Sequence, residues 1–97
     1  MKQLILKDLV SDTYTNIAGA SLAIQLIRLI NDNVMIELSF SNSTPLSSSF
    51  FNSSFGQLIE DFGYSKVKDC IKLVGVNNSQ GKLLRDYFDA YKKYDHC

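Results

Sequence analysis

Residues 36–62 read IELSFSNSTPLSSSFFNSSFGQLIEDF, and this stretch decides the fold. Its first part alternates apolar and polar residues, the period of a half-buried strand. Its last part has apolar residues at Phe51, Phe55, Leu58, Ile59 and Phe62, the spacing of one helix face. Between the two lies a turn rich in serine. The stretch therefore predicts a strand, a serine turn and a helix that begins near the serines.

The rest of the chain predicts alternating strands and helices. Strands alternating with helices of this length form right-handed crossovers and a mainly parallel sheet. We therefore predict a small α/β domain of order β-α-β-α-β-α, with a sheet of three to four strands packed with helices, as a single domain over residues 1–97. The predicted strands are Lys2–Val10, Val34–Phe40 and Cys70–Val76; the predicted helices are Ala20–Ile30, a second that ends before Gly63, and a third capped by residues 77–79.

Composition argues against several classes of function. The chain has 97 residues, with Lys plus Arg and Asp plus Glu equal at 10 each. Nucleic-acid binders and proteins that bind anionic membranes usually carry excess positive charge, so neither partner is expected. A net charge near zero gives little mutual repulsion, and the first helix is largely apolar, so a homodimer is possible. We expect Ser21, Gln25 and Arg28 to form the only polar stripe of that helix.

Cysteine usage and the N-terminus suit a cytoplasmic protein. Cys70 lies in an apolar run and is expected to be buried, while Cys97 is the last residue, so no disulfide framework is present. The apolar patch after Met1 is too short for a secretion signal, and no apolar run approaches membrane-spanning length.

Few residues offer chemistry. His96 is the only histidine and lies in what we expect to be a frayed tail, so no catalytic base and no metal site are predicted. Glu37 and Glu60 are the only glutamates, and solvated charges explain them better than a catalytic pair. Residues 75–82, GVNNSQGK, lack the spacing of a phosphate-binding loop. We expect no enzyme activity and no cofactor.

The serine turn permits two interpretations. In the simpler one, Ser47 or Ser48 caps the helix by accepting a hydrogen bond from a free N–H group. In the other, Ser47, Ser48 or Ser49 is a phosphoacceptor, because a phosphate at a helix start meets free N–H donors. A partner would then dock on this turn and on the exposed face of the helix, which we assign to Asn52, Ser53, Gln57 and Glu60.

At this turn and helix the chain resembles a known family. The segment SSSFFNSSFGQLIEDFG (47–63) is similar to the prokaryotic STAS-like domain of unknown function, which is related to the STAS domains of anti-sigma-factor antagonists. That family has Ser-Ser-Phe, a short spacer and Phe-Gly-x-Leu. Asn52 and Ser53 stand where the family usually has acidic residues, and Ser47 stands where the antagonists have Asp. The matching residues are Ser48, Ser49, Phe50, Phe55, Gly56 and Leu58.

The resemblance implies a function in signalling. It implies a STAS-like fold and a non-catalytic regulatory protein–protein interaction, with a histidine-kinase-like ATPase or another signalling protein as partner. Two alternatives remain open: a small inhibitor encoded by a phage or mobile element that blocks a host enzyme or defence complex, and a weak nucleotide binder that uses the N–H groups of the turn.

Overall fold

Three parallel strands form the sheet in the computed structural model, which describes residues 1–41 and 46–92. The strands are β1 (Lys2–Ile5), β2 (Ile36–Ser39) and β3 (Ile71–Val74), in the order β1-β2-β3. The predicted α/β class and parallel sheet are confirmed. The first part of the predicted serine turn, residues 42–45, lies outside the described residues, as do His96, Cys97 and the predicted frayed tail.

Helices connect the strands. Between β2 and β3, a continuous helical run extends from Ser48 to Phe62, and we call it the middle helix; it has a π-helical segment at Asn52–Gly56. The helices are α1 (Leu6–Leu9), α2 (Asn16–Asn31), α3 (Ser48–Phe51), α4 (Gln57–Phe62), α5 (Tyr64–Cys70) and α6 (Asn78–Ala90).

The two faces of the sheet differ. Ile36 pairs in register with Ile71, and Leu38 pairs with Leu73, so these side chains share one face, on which Ile36, Leu38 and Ile71 are buried in the main core. The opposite face carries Glu37 and Lys72, and none of its strand residues is buried. The helices therefore cover one face, and the other face is open.

The first predicted strand was too long. We predicted Lys2–Val10, but the strand ends at Ile5 and Leu6–Leu9 is helical. Leu6 is fully buried in the core, while Leu9 and Val10 pack against it. Their spacings of three and four residues fit one face of a helical turn better than a strand.

The first long helix begins earlier than predicted. We predicted Ala20–Ile30, with residues 11–19 as a connection, but α2 begins at Asn16. The Thr15 hydroxyl caps it by accepting a hydrogen bond from the Ala18 N–H at 3.2 Å. On the predicted polar stripe Ser21 and Arg28 are exposed and Gln25 is half-buried, and Ile24, which lies beside them, is 66% exposed.

The last third of the chain contains a helix that we did not predict. The predicted strand Cys70–Val76 is shorter, Ile71–Val74, and α5 precedes it and ends at the buried Cys70. Gly63 separates α4 from α5 with a φ of 91°, as expected for a residue just past a helix end. The predicted cap of α6 is confirmed, because Asn77 and Gln80 form a reciprocal capping box.

Candidate functional site

Ser47 is the residue that caps the middle helix. Its Oγ accepts a hydrogen bond from the Phe50 N–H at 3.1 Å and donates one to the Tyr14 carbonyl at 2.8 Å. Its backbone N–H donates to the Thr13 carbonyl at 3.1 Å. The hydroxyl of Ser47 therefore fastens the serine turn to the segment before α2, and it is fully used.

Ser48 and Ser49 occupy the first turn of the middle helix and are exposed. Neither hydroxyl has a hydrogen-bond partner among the residues that the structure describes. The first turn also contains no acidic side chain. Two hydroxyl groups are thus presented to solvent where helix N–H groups lack carbonyl partners within the helix.

The next two serines, Ser53 and Ser54, lie in the π-helical segment and hydrogen-bond to the backbone of the same helix. The Ser53 Oγ donates to the Ser49 carbonyl at 2.8 Å, and the buried Ser54 Oγ donates to the Phe50 carbonyl at 2.8 Å. Serine side chains that bond the carbonyl four residues back compete with the helix's own N–H donors. The helix widens at this place, and π-helical turns of this kind are frequent at functional sites.

Gly19 of α2 contacts the middle helix at the serine turn. A Cβ atom on Gly19 would lie 2.5 Å from the Phe50 carbonyl oxygen and 2.8 Å from the Ser53 Cβ. Only glycine permits this approach, which fixes the serine turn against the start of α2. The contact also half-buries Ser53, which we had assigned to the partner-facing surface.

The other three residues assigned to that surface are exposed. Asn52 is nevertheless engaged, because its Oδ1 accepts a hydrogen bond of 2.7 Å from the Tyr91 hydroxyl. Gln57 donates from Nε2 to the Asp61 Oδ1 at 3.1 Å. Glu60 is exposed on α4. The structure thus gives solvent access to Asn52, Gln57 and Glu60, and much less to Ser53.

Two residues beside the serine turn were missed. Tyr14 and Ile17 are 65% and 80% exposed, and the Tyr14 carbonyl is the acceptor for Ser47. The sequence gives no signal for this proximity, because 33 residues separate Tyr14 from Ser47. We call Tyr14, Ile17, Ser48 and Ser49 the serine patch: two exposed hydroxyl groups, and two exposed large side chains on the segment that Ser47 and Gly19 join to the serine turn.

Aromatic packing holds the middle helix in place. The Phe51 ring lies 5.0 Å from the rings of Tyr87 and Phe88 and 5.4 Å from that of Phe55, measured between centroids. Phe50, Phe51 and Phe55 are fully buried. This cluster fixes the side of the helix opposite to solvent, so the serine patch rests on a rigid base.

Asp12 places a carboxylate beside Tyr14 of the serine patch. The backbone N–H groups of Thr15 and Tyr14 donate hydrogen bonds to its carboxylate, at 2.9 and 3.0 Å, and lower the pKa of Asp12.

Within the described residues, no group of three or more His, Cys, Asp or Glu side chains is arranged to hold a metal ion. None of the described helices has the length and apolar character needed to cross a membrane.

Comparison with known proteins identifies the family. The family model of a STAS-like domain of unknown function (DUF4325) matches residues 18–81, which include α2 from its third residue onward, the middle helix, β2 and β3. The chain belongs to this family. No curated protein and no solved structure shows a significant match to it.

Proposed function

We propose that the chain is a non-catalytic regulatory module that acts by binding another protein through the serine patch. The observation that carries this proposal is the exposure of the Ser48 and Ser49 hydroxyls beside a serine that is fully engaged in capping. Membership in the STAS-like family supports a regulatory role.

The serine patch has the chemistry of a protein-docking surface. Tyr14 and Ile17 supply exposed apolar area, and tyrosine is enriched at the energetic centres of interfaces. Ser48 and Ser49 supply hydrogen-bonding groups on a surface whose backbone is held by Gly19 and Ser47. A rigid surface loses little conformational entropy when a partner binds.

Phosphorylation of Ser48 or Ser49 is the proposed switch. A phosphate adds about 1.5 to 2 negative charges at pH 7, in a helical turn that has no acidic side chain. It leaves the Ser47 cap intact, so the fold is preserved while the affinity of the partner changes. The resemblance to STAS antagonists favours a histidine-kinase-like ATPase as the partner and phosphate donor.

The experiment uses the full chain and a histidine-kinase-like ATPase encoded in the same genome. Intact-mass spectrometry after incubation with ATP should show one phosphate adduct, which disappears in the double variant Ser48→Ala and Ser49→Ala. The matched control is Gln57→Ala, an exposed change elsewhere on the middle helix, which should leave the adduct unchanged.

A binding assay completes the test. Calorimetry with the same ATPase should show binding to the wild type and at least tenfold weaker binding to Ser48→Asp. Tyr14→Ser should weaken binding without altering the thermal melt. No adduct and no change in binding with any of these variants would contradict the proposal.

A further inference from the structure

We propose a second binding surface at the outer edge of β3, where an extended segment of another protein adds to the sheet as a fourth strand. The segment that fits has apolar and acidic residues in alternation. This surface consists of β3, α5 and α6, so it is independent of the serine patch.

The first observation is that no described strand pairs with the outer edge of β3. β3 lies at one end of the sheet, and the Phe40 N–H donates to the Val74 carbonyl at 2.8 Å. Because peptide groups alternate in direction along a parallel strand, the backbone N–H and C=O groups of Lys72 and Val74 point toward β2. The N–H and C=O of Leu73 then point away from the sheet, and no described residue bonds them.

The edge offers three main-chain hydrogen bonds to a strand. Leu73 supplies a donor and an acceptor, and the Ile71 carbonyl supplies a second acceptor on the same side. The Ile71 N–H is already used, since it donates to the Val67 carbonyl at the end of α5. An added strand makes main-chain hydrogen bonds to these groups through every second one of its residues, whether it runs parallel or antiparallel to β3.

The second observation is a cleft beside this edge. Two adjoining depressions of about 250 and 260 Å³ share Lys68, Leu73 and Phe88 in their lining. Tyr64 and Leu84 contribute further apolar surface. The Leu73 side chain points to the helix-covered face of the sheet, so an added strand presents alternate side chains to this cleft. Those side chains should be apolar.

The third observation is the charge around the edge. Lys72 is exposed on the open face of the sheet, Arg85 is exposed on α6, and the Lys68 Nζ lies 4.7 Å from the centroid of the Phe88 ring. None of these three cations forms an ion pair with a described residue, not even Lys72 with its register partner Glu37. The acidic group in the cleft lining, Asp89, is bonded to Lys92 at 3.1 Å. Side chains of the added strand that point to Lys72 should therefore be acidic.

A second copy of this chain fits the edge poorly. Antiparallel pairing of two β3 strands would place the two Lys72 side chains opposite or diagonal to each other, within about 8 Å. The other edge strand, β1, carries Lys2 and no acidic residue, so it offers no charge complement to Lys72. Like charges on paired strands disfavour association, which leaves an acidic strand of another protein as the occupant.

The probe is a fluorescent decapeptide of alternating Val and Glu, titrated with the full chain and followed by anisotropy. We expect saturable binding that Lys72→Glu weakens at least tenfold, while the control Lys7→Glu changes it less than about twofold. A peptide with Lys in place of Glu should bind Lys72→Glu more tightly than it binds the wild type. This charge reversal has no explanation in a damaged fold.

Methylated peptides test strand addition without changing the protein. Two peptides are compared, each methylated on every second peptide nitrogen, but on opposite sets. One should not bind, and the affinity of the other should stay within about threefold of that of the unmethylated peptide, since only every second N–H donates to β3. An equal loss of affinity for the two methylated peptides would overturn the proposal. So would equal affinity for a control peptide in which all Val residues precede all Glu residues. So would the absence of binding at about 1 mM protein.

Discussion

Gly19→Ala should destabilise the protein although alanine is the better helix former. The position lies in the first part of α2, and the new Cβ would be 2.5 Å from the Phe50 carbonyl oxygen. That atom belongs to the backbone of the middle helix and cannot rotate away. The second contact, 2.8 Å to the Ser53 Cβ, prevents a sideways shift. The two helices must therefore move apart at the serine patch.

The magnitude follows from two opposing terms. Overpacking of this kind costs about 1 to 3 kcal/mol, and the upper end applies because both helices are fixed by the core. The gain in helix propensity is about 1 kcal/mol. The net loss in the free energy of unfolding is about 2 kcal/mol. In a domain of this size each kcal/mol shifts the melting temperature by about 4 to 8 °C, so the variant should melt about 8 to 16 °C lower.

Gly81→Ala is the matched control. Gly81 of α6 donates its N–H to the Asn77 cap carbonyl, as Gly19 does to Thr15, so both stand at the same position from their caps. The nearest atom to a Cβ on Gly81 is the Val76 Cγ2, at 4.0 Å. The same substitution should therefore stabilise by about 0.5 to 1 kcal/mol. Thermal and urea unfolding of both variants give the comparison; a Gly19→Ala variant as stable as the wild type would refute the close approach of the helices.

Three further predictions concern stability. Ser47→Ala should cost about 1 to 2 kcal/mol in urea unfolding, because it removes a cap and a hydrogen bond, whereas Ser48→Ala should change stability by less than about 0.5 kcal/mol; equal effects would contradict the assigned cap. The lowered pKa of Asp12 stabilises the fold above its unfolded pKa of about 3.9 and ceases to do so as the pH falls through the folded value. Melts of wild type and Asp12→Asn should therefore differ at pH 7 and converge in acid, and a constant difference would exclude this linkage. Phe51→Ala should cost about 3 to 5 kcal/mol by chemical denaturation, since the ring contacts four other aromatic rings; a loss below about 1 kcal/mol would show that the cluster repacks.

The predicted elements succeeded where one local signal was sufficient. The alternation in β2, the helical spacing before Gly63 and the cap at Asn77 each depend on neighbours in the chain, and the structure has all three. The wrong predictions concern short apolar runs whose spacing fits both the period of a strand and that of a helical turn. Leu6 and Cys70 were assigned to strands, but each belongs to a helical turn whose apolar side chains face the core. Four to seven residues do not separate these periods.

Local sequence therefore determined the individual strands and helices and the serine turn at the start of the middle helix, because propensity, capping and periodicity act between residues a few positions apart. The α/β class and the parallel sheet followed from the alternation of these elements along the chain. Only the tertiary structure decided which serine caps and which are exposed, since the acceptor for Ser47 is the Tyr14 carbonyl. It also decided that Gly19 supports the serine patch and that β3 lies at an edge of the sheet, where no described residue bonds the outward N–H and C=O of Leu73. Such contacts join distant parts of the chain, and their energies depend on distances that no local pattern contains.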